Sequence, residues 1–409
     1  MKVDFPSDFF TGNRQKLRDR VGTKVPIVIT ASGLLQKGVD SAYPFHQDAN
    51  FWYLTGINDP DLVLVLDFSG DFLILPRRSD YQNAFEGIID QKYLTKKSGV
   101  VSVLSFENGW QKLDSLLAGK KQVATVKPFE TYLETYGMYT NPARQQLVKR
   151  IKAANKKISV KDIAPDLARL RMIKQAREVL AISAAIDLTA AAITKVKSKI
   201  SDLAYEYSAE ALITAHFLDN KVDNAWKPIV ASGHNGCILH YDDNTSRLVS
   251  NDLVVIDVGA EVSHYAADIT RTLIIGPKPS ARQQAVHQAV IDVQDFAIKL
   301  QKPGAMVIDN EKKIRKFMAT KLIELGLIKR ATSEEVAKFY PHSTSHFLGL
   351  EAHDAGDYKL PLQPGVVLTV EPGIYIPEEN IGIRLEDDVL ITATGNKVLS
   401  ASLSRDLLV

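Results

Sequence analysis

The 409-residue chain has a single cysteine, Cys237, so no disulfide can form within it. That excludes a disulfide-stapled scaffold and fits a reducing compartment, so a cytoplasmic location is expected. Net charge is nearly absent: 50 Lys and Arg stand against 48 Asp and Glu, giving +2. The lysines are dispersed rather than gathered into a patch. Neither nucleic acid nor an acidic membrane is therefore expected as a partner. No apolar run approaches the roughly 20 residues of a membrane span. The start, Met1-Lys-Val-Asp-Phe-Pro-Ser-Asp, lacks the basic-then-apolar pattern of a signal peptide. Asn244-Thr-Ser matches a glycosylation sequon and, without a secretion signal, is read as coincidence.

What is present is ordinary globular material, 45% apolar and 24% charged. The length is large for one core, so two domains are expected, residues 1–160 and 161–409. The first reads as α/β. Lys24-Val-Pro-Ile-Val-Ile-Thr, Leu62-Val-Leu-Val-Leu-Asp-Phe and Gly70-Asp-Phe-Leu-Ile-Leu-Pro are strand patterns, the last two joined at Ser69-Gly-Asp. Helical patterns follow near Gly109 and Asn141. The polar stretch 156–166, with Pro165, marks the boundary. In the second domain the periodicity predicts helices over 174–199 and 208–218. Ser280 with Gln283 caps a third, which ends before Pro303-Gly304, and Asp309 begins a fourth, ending at Gly326. Each pair of helices precedes a hairpin. This order predicts two similar halves sharing a curved antiparallel sheet covered by helices, an α+β arrangement.

The hairpins carry the chemistry. In the segment 366–389, two apolar strands flank a polar turn at Pro377 to Asn380. Glu371 and Glu386 are symmetric about its centre. An antiparallel pair with that centre sets them opposite each other, roughly 4.5–5.5 Å apart at Cβ. Leu253-Val-Val-Ile-Asp-Val-Gly-Ala and Ala266-Ala-Asp-Ile-Thr-Arg-Thr-Leu-Ile make a second hairpin with its turn at Glu261 to His264. There Asp257 and Asp268 are symmetric about the point between Val262 and Ser263. Facing carboxylates on a half-buried sheet repel and lose hydration, and a metal cation is the usual compensation.

Histidines complete the constellation. His342, His346 and His353 fall in one segment, spaced by glycine and small residues as in an irregular strand. Asp257, Asp268, His346, Glu371 and Glu386 together carry four negative charges, which two divalent cations balance. Oxygen-rich ligation favours Mn²⁺, with Zn²⁺ or Co²⁺ as alternatives. A two-metal hydrolytic site is expected, in which a shared water becomes acidic enough to attack as hydroxide near neutral pH. Any one of these residues alone is ordinarily a solvated hairpin acid or a satisfied core histidine. Two symmetric acid pairs and a histidine cluster together make that combination improbable.

The ordered series Asp257, Asp268, His346, Glu371, Glu386 resembles the metal-ligand series of the pita-bread metallopeptidases and spans residues 170–405. The segment from His342 to Asp354 looks like the signature of their proline-specific branch, with Ala352 where Ile or Val is usual. The stretch from Tyr43 to Asp61 looks more like the Xaa-Pro aminopeptidases. The resemblance implies that Asp257 binds one metal, that His346 and Glu371 bind the other, and that Asp268 and Glu386 bridge. It implies Glu371 as proton shuttle, His240 and His353 as substrate-holding and oxyanion-stabilising groups, and His342, Tyr375 and Arg384 as the proline-side pocket. Arg384 has an equal alternative as a salt-bridge partner within the site. Trp52 is implied as a substrate contact reaching a neighbouring subunit, although Phe51-Trp-Tyr also reads as domain core. A homodimer or homotetramer is implied, with the first domain serving oligomerisation or substrate access.

The expected activity is release of the first residue from peptides with proline second. The near alternative is an Xaa-Pro dipeptidase, in which a charged group selects the free carboxylate. More distant readings are a non-catalytic binding protein or a metal-free amidinohydrolase on the same fold, and the complete ligand set argues against both. Cys237, three residues before His240, reads as small core filling rather than a nucleophile. His234, His264 and His287 are assigned to a loop, a turn and a helix surface.

Overall fold

A computed structural model describes residues 3–22 and 24–408, so Met1 and Lys2, part of the stretch judged not to be a signal peptide, lie outside the described residues. The described residues divide into two compact units, Phe5–Arg171 and residues 172–408 with the N-terminal Val3 and Asp4. The division falls later than the boundary expected near 160. The polar stretch that suggested a linker contains the strand Ser159–Asp162, which pairs in parallel with Gln122–Thr125 at the edge of the first unit's sheet. An edge strand is half-exposed, hence polar, and reads like a linker.

The first unit is a mixed six-stranded sheet in the order 102–104, 72–74, 63–66, 27–30, 122–125, 159–162. Its central strands Ile27–Thr30 and Val63–Leu66 are buried at every position. That follows from their unbroken β-branched and leucine runs. Helices Phe106–Leu117 and Ala143–Ala154 cover it, and Leu113, Leu117, Leu147 and Ile151 pack on Val28, Val65 and Phe72.

In the second unit every strand pairing is antiparallel. Helices Ala176–Lys197, Glu206–Asp219, Ala281–Leu300 and Val307–Glu324 pack around the strands. Ser280 and Gln283 form the expected capping box. The helix Ala176–Lys197 is long and apolar enough, by length and composition, to cross a membrane, although Arg177, Glu178, Asp187, Lys195 and Lys197 interrupt its apolar run. Its Ala181, Ile182, Ala185, Ile186, Ala192 and Ile193 are buried in this unit, and Thr189 accepts the Ala260 amide at 2.9 Å. His287 is also buried rather than on a helix surface, its Nε2 lying 2.8 Å from the Arg405 carbonyl.

The two hairpins meet along a seam. The Glu386 amide donates to the Thr270 carbonyl at 3.0 Å, and the Thr272 hydroxyl lies 3.0 Å from the Arg384 carbonyl. Behind the seam sits Arg271, 2% exposed. It pairs with Asp387 at 2.7 Å and donates to the carbonyls of Glu386, Leu403 and Ser404. One guanidinium therefore ties the second hairpin and the C-terminal segment to the first hairpin. Removing one partner of a buried pair leaves the other charged and dry. Arg271→Ala is expected to lower the unfolding free energy by about 3–5 kcal/mol, read by urea denaturation of the metal-free protein. A loss below about 1 kcal/mol would show the pair to be peripheral.

Candidate active site

The hairpin registers decide how the acids meet. In the second hairpin Val370 pairs with Asp387 and Gly373 with Arg384, so Glu371 lies opposite Glu386, as the symmetry predicts. In the first, Asp257 pairs with Thr270 rather than facing Asp268. The turn is centred one residue further on, between Ser263 and His264, which both adopt left-handed backbone at φ 51° and 68°. That is the geometry of a tight two-residue hairpin turn usually signalled by Asn-Gly. Asp257 and Asp268 become diagonal neighbours on one sheet face. The residue opposite Asp268 is Gly259, where a Cβ would come within 1.9 Å of the Ala267 carbonyl oxygen and 2.7 Å of the Trp226 ring. Only glycine fits there.

Asp257, Asp268, His346, Glu371 and Glu386 all line one cleft of about 740 Å³, with His240, His342, His353 and Arg384. Tyr375 stands directly behind, its hydroxyl 2.9 Å from His342 Nε2 and accepting from Arg384 Nη1 at 3.0 Å. Trp52 is not in this group. It is 4% exposed and packs edge-on against Phe5 and Phe10 in the first unit, so its ring is core there.

The donor set fits a divalent cation on three counts. Ligand atoms of Asp268, His346 and Glu386 all lie within 4.8 Å of one another. Among the described residues Asp257 Oδ1 is buried without a hydrogen-bond partner, a state that is costly unless a cation completes it. His346 Nδ1 lies 3.2 Å from the Phe347 carbonyl, which as an acceptor puts the ring proton on Nδ1. Nε2 is thereby left with its lone pair toward Glu371 at 3.3 Å and Asp268 at 3.5 Å.

Electrostatics follow from burial. Loss of hydration, then the charge of Glu386, raises Asp268 well above the carboxylate range, and the same two causes raise Glu371. Glu386 is pushed up to about 8 by burial and by Asp257, against the Thr270 hydroxyl and Arg384. Burial lowers His346 to about 3, with His353 adding to the shift, and lowers His342 to about 4. His353 is also lowered, by burial and by His240. The Cys237 thiol is raised to about 11 by burial, which removes it as a nucleophile at neutral pH.

Arg384 makes the ion pair within the site and also lines the cleft. Its Nη2 lies 2.7 Å from Asp257 Oδ2, Nη1 donates to Tyr375 and Nε to Thr270 Oγ1 at 3.2 Å. Thr270 Oγ1 in turn donates to Glu386 Oε2 at 2.7 Å. Thr270 was not singled out from the sequence, yet it shares the parity of Asp268 and so the same face. Two further groups were missed. Thr369 Oγ1 bridges the His346 amide at 3.2 Å and Glu371 Oε1 at 3.5 Å. Asp388 is fully buried and accepts the Asp268 amide at 3.1 Å. Trp226 and Tyr358 also line the cleft, from segments where no spacing pattern marks them.

The three raised carboxyls give a signed expectation. A raised folded-state pKa contributes stability that is full below the unfolded value, about 4, and is lost as pH rises through about 8 for Glu386. A divalent cation reverses that loss by replacing protons. The rise in Tm on adding Mn²⁺ to metal-free protein is therefore expected to be larger at pH 8 than at pH 5.5 and to vanish with chelator. Equal shifts at both pH values would place the binding elsewhere.

Residues 181–393 match the model of metallopeptidase family M24, and residues 10–125 match that of the aminopeptidase P N-terminal domain. The Xaa-Pro aminopeptidase of Escherichia coli K12 is 33% identical, over 96% of this chain and 94% of its own length. Mouse Xaa-Pro aminopeptidase 3 is 30% identical over 94% of this chain and 80% of its own. Among solved structures, aminopeptidase P from E. coli with the inhibitor Pro-Leu superposes with TM-score 0.87 at 31% identity, covering 99% of this chain and 97% of that one. Proline aminopeptidase P II from Yersinia pestis gives 0.85 at 31% identity, covering 98% of each. With more than half its length in one family model and near-full-length relatives at this identity, the chain belongs to metallopeptidase family M24.

Proposed function

We propose that this chain is a metal-dependent Xaa-Pro aminopeptidase, hydrolysing the bond between an N-terminal residue and a penultimate proline. The observation that carries the reading is the convergence of four acids and His346 with three further histidines in one cleft. Two divalent ions, Mn²⁺ foremost, would be held by Asp257, Asp268, His346, Glu371 and Glu386. Bound there, such ions lower the pKa of water and polarise the scissile carbonyl.

The remaining chemistry falls to the chain's own groups. Glu371, buried and raised, is suited to take up a proton and return it to the leaving nitrogen. An Xaa-Pro nitrogen has no N–H, so its departure depends on that delivery. His353, with its basicity lowered, is neutral at pH 7 and can donate one N–H to the peptide or the developing oxyanion, with His240 as its companion at the rim. His342 is held neutral and is fixed from behind by Tyr375, and together with Arg384, which Tyr375 also holds, it forms the wall on the proline side.

A dipeptidase would need a cation free to bind the substrate's carboxylate. The Arg384 guanidinium is instead engaged by Asp257, Tyr375 and Thr270, which favours the aminopeptidase reading. The family resemblance adds a homodimer or homotetramer, with the first unit serving assembly or substrate access. The single cysteine adds a cytoplasmic location.

With Mn²⁺, an Xaa-Pro-Yaa tripeptide should release its first residue, and excess chelator should stop it. The matching Xaa-Pro dipeptide should be cleaved poorly, and cleavage of the dipeptide alone would move the assignment to dipeptidase. Glu371→Gln should lower kcat by about 10²–10⁴ fold. A variant that keeps more than a tenth of wild-type turnover would remove Glu371 from the proton-transfer role.

A further inference from the structure

His240 differs from the other residues of the cleft in how it is held. It is exposed, it sits on the segment between Ser232 and Ser246, and among the described residues no hydrogen bond fixes its ring. Its place is therefore set by the backbone that carries it. That backbone converges on one carboxylate. Glu206, in the first turn of the helix Glu206–Asp219, is 0% exposed. Its Oε1 accepts the Ser232 amide at 2.8 Å, the Ser232 hydroxyl at 2.7 Å and the Asn235 side-chain amide at 3.1 Å. Its Oε2 accepts the Tyr241 hydroxyl at 2.8 Å and the Ser246 amide at 2.8 Å.

Both ends of the segment, and the residue next to His240, thus end on one side chain. One turn along the same helix, Glu210 accepts from Asn244 at 2.8 Å. Asn244 is fully buried, and its side chain also accepts the Val230 amide and donates to the Pro228 carbonyl, so the sequon there is a structural clamp. From the opposite side the second hairpin presses on the segment. A Cβ on Gly382 would fall 2.0 Å from the Gly236 carbonyl oxygen, and Cys237 Sγ donates to the Ile381 carbonyl at 3.4 Å.

We infer that Glu206 and Tyr241 are positioning residues that hold His240 over the cleft, an inference that rests on the reading of His240 as a substrate-contacting group. A buried carboxylate at a helix N-terminus with five donors is stabilised by the dipole and by charge-assisted hydrogen bonds. A glutamine there would turn N–H groups toward either the Ser232 or the Ser246 amide, so the role needs two acceptor oxygens. Tyr241 does not line the cleft but packs on Ile229, Ala231 and Val255. Loss of its hydroxyl therefore frees the His240 end of the segment while leaving the apolar contact.

The test is a double-mutant cycle on the Mn²⁺-loaded full chain, reading kcat and KM for an Xaa-Pro-Yaa tripeptide together with Tm. Tyr241→Phe is expected to lower kcat/KM about 10- to 100-fold, as a shift of about 1 Å in a reacting group does, with Tm moved by no more than about 2–4 °C. Added to His240→Ala, it should cost nothing further, because the group it places is already gone. Glu206→Gln should behave alike where it folds, and Tyr241→Phe carries the test where it does not. Losses that multiply in the double variant would overturn the inference and leave His240 its role. Full activity in Tyr241→Phe would do the same. Full activity in His240→Ala would overturn the inference together with the reading beneath it.

Discussion

Four buried or half-buried carboxylates share one cleft, and their mutual repulsion in a dehydrated setting is the constraint around which the second unit is built. Two unit charges 4 Å apart interact by about 4 kcal/mol at an effective dielectric of 20, and here four such groups converge. The chain offsets part of this with fixed dipoles and one cation. Thr270 donates to Glu386, Thr369 lies against Glu371, and Arg384 binds Asp257. The remainder appears as raised carboxyl pKa values and as an Asp257 oxygen with no partner. A site left electrostatically incomplete by its own fold is one prepared for added positive charge, the usual association of strain with function.

The same cleft keeps three of its histidines uncharged. His346, His342 and His353 are all held below their ordinary basicity, chiefly by burial. Protonated imidazoles here would compete with a cation for the acids. Neutral ones present a lone pair or a single N–H, depending on the partner of the other ring nitrogen. Burial therefore acts in opposite directions on the two residue types, raising acids and lowering bases. Both shifts favour the neutral form, so charge is minimal until a cation arrives.

Much of this was legible in the chain because the acids sit on strands. The polar turn at Pro377 to Asn380 sets the second hairpin's register, and Glu371 opposite Glu386 follows by counting. The first hairpin's turn lies one residue further on than its acids suggest, since Ser263 and His264 adopt left-handed backbone without the glycine or asparagine that would announce it. The diagonal placement of Asp257 and Asp268 survived because a shift of two in pairing keeps side chains on one face. The helix expected from 208 begins at Glu206, and that small difference hid the carboxylate that gathers residues 232–246. No local pattern reveals a partner some 26 to 40 residues away. The same holds for Arg271, whose partners lie more than a hundred residues on.

These two hidden anchors answer a difference between the site's two halves. The acids project from strands, where neighbouring backbones fix them and Arg271 clamps the strands from behind. Geometry on such elements is rigid by construction. The histidines at 240, 342 and 353 lie on irregular segments, where no ladder sets a register and each must be tied by side chains. His342 has Tyr375. The segment carrying His353 is held where Asp354, 7% exposed, pairs with Lys174 at 3.1 Å. His240 has only the segment itself, and the buried Glu206 is what makes that segment rigid. A fold that puts metal-type ligands on strands and substrate-type groups on loops must spend buried polar residues on the loops. The density of buried hydrogen bonds around residues 232–246 is where that requirement is met.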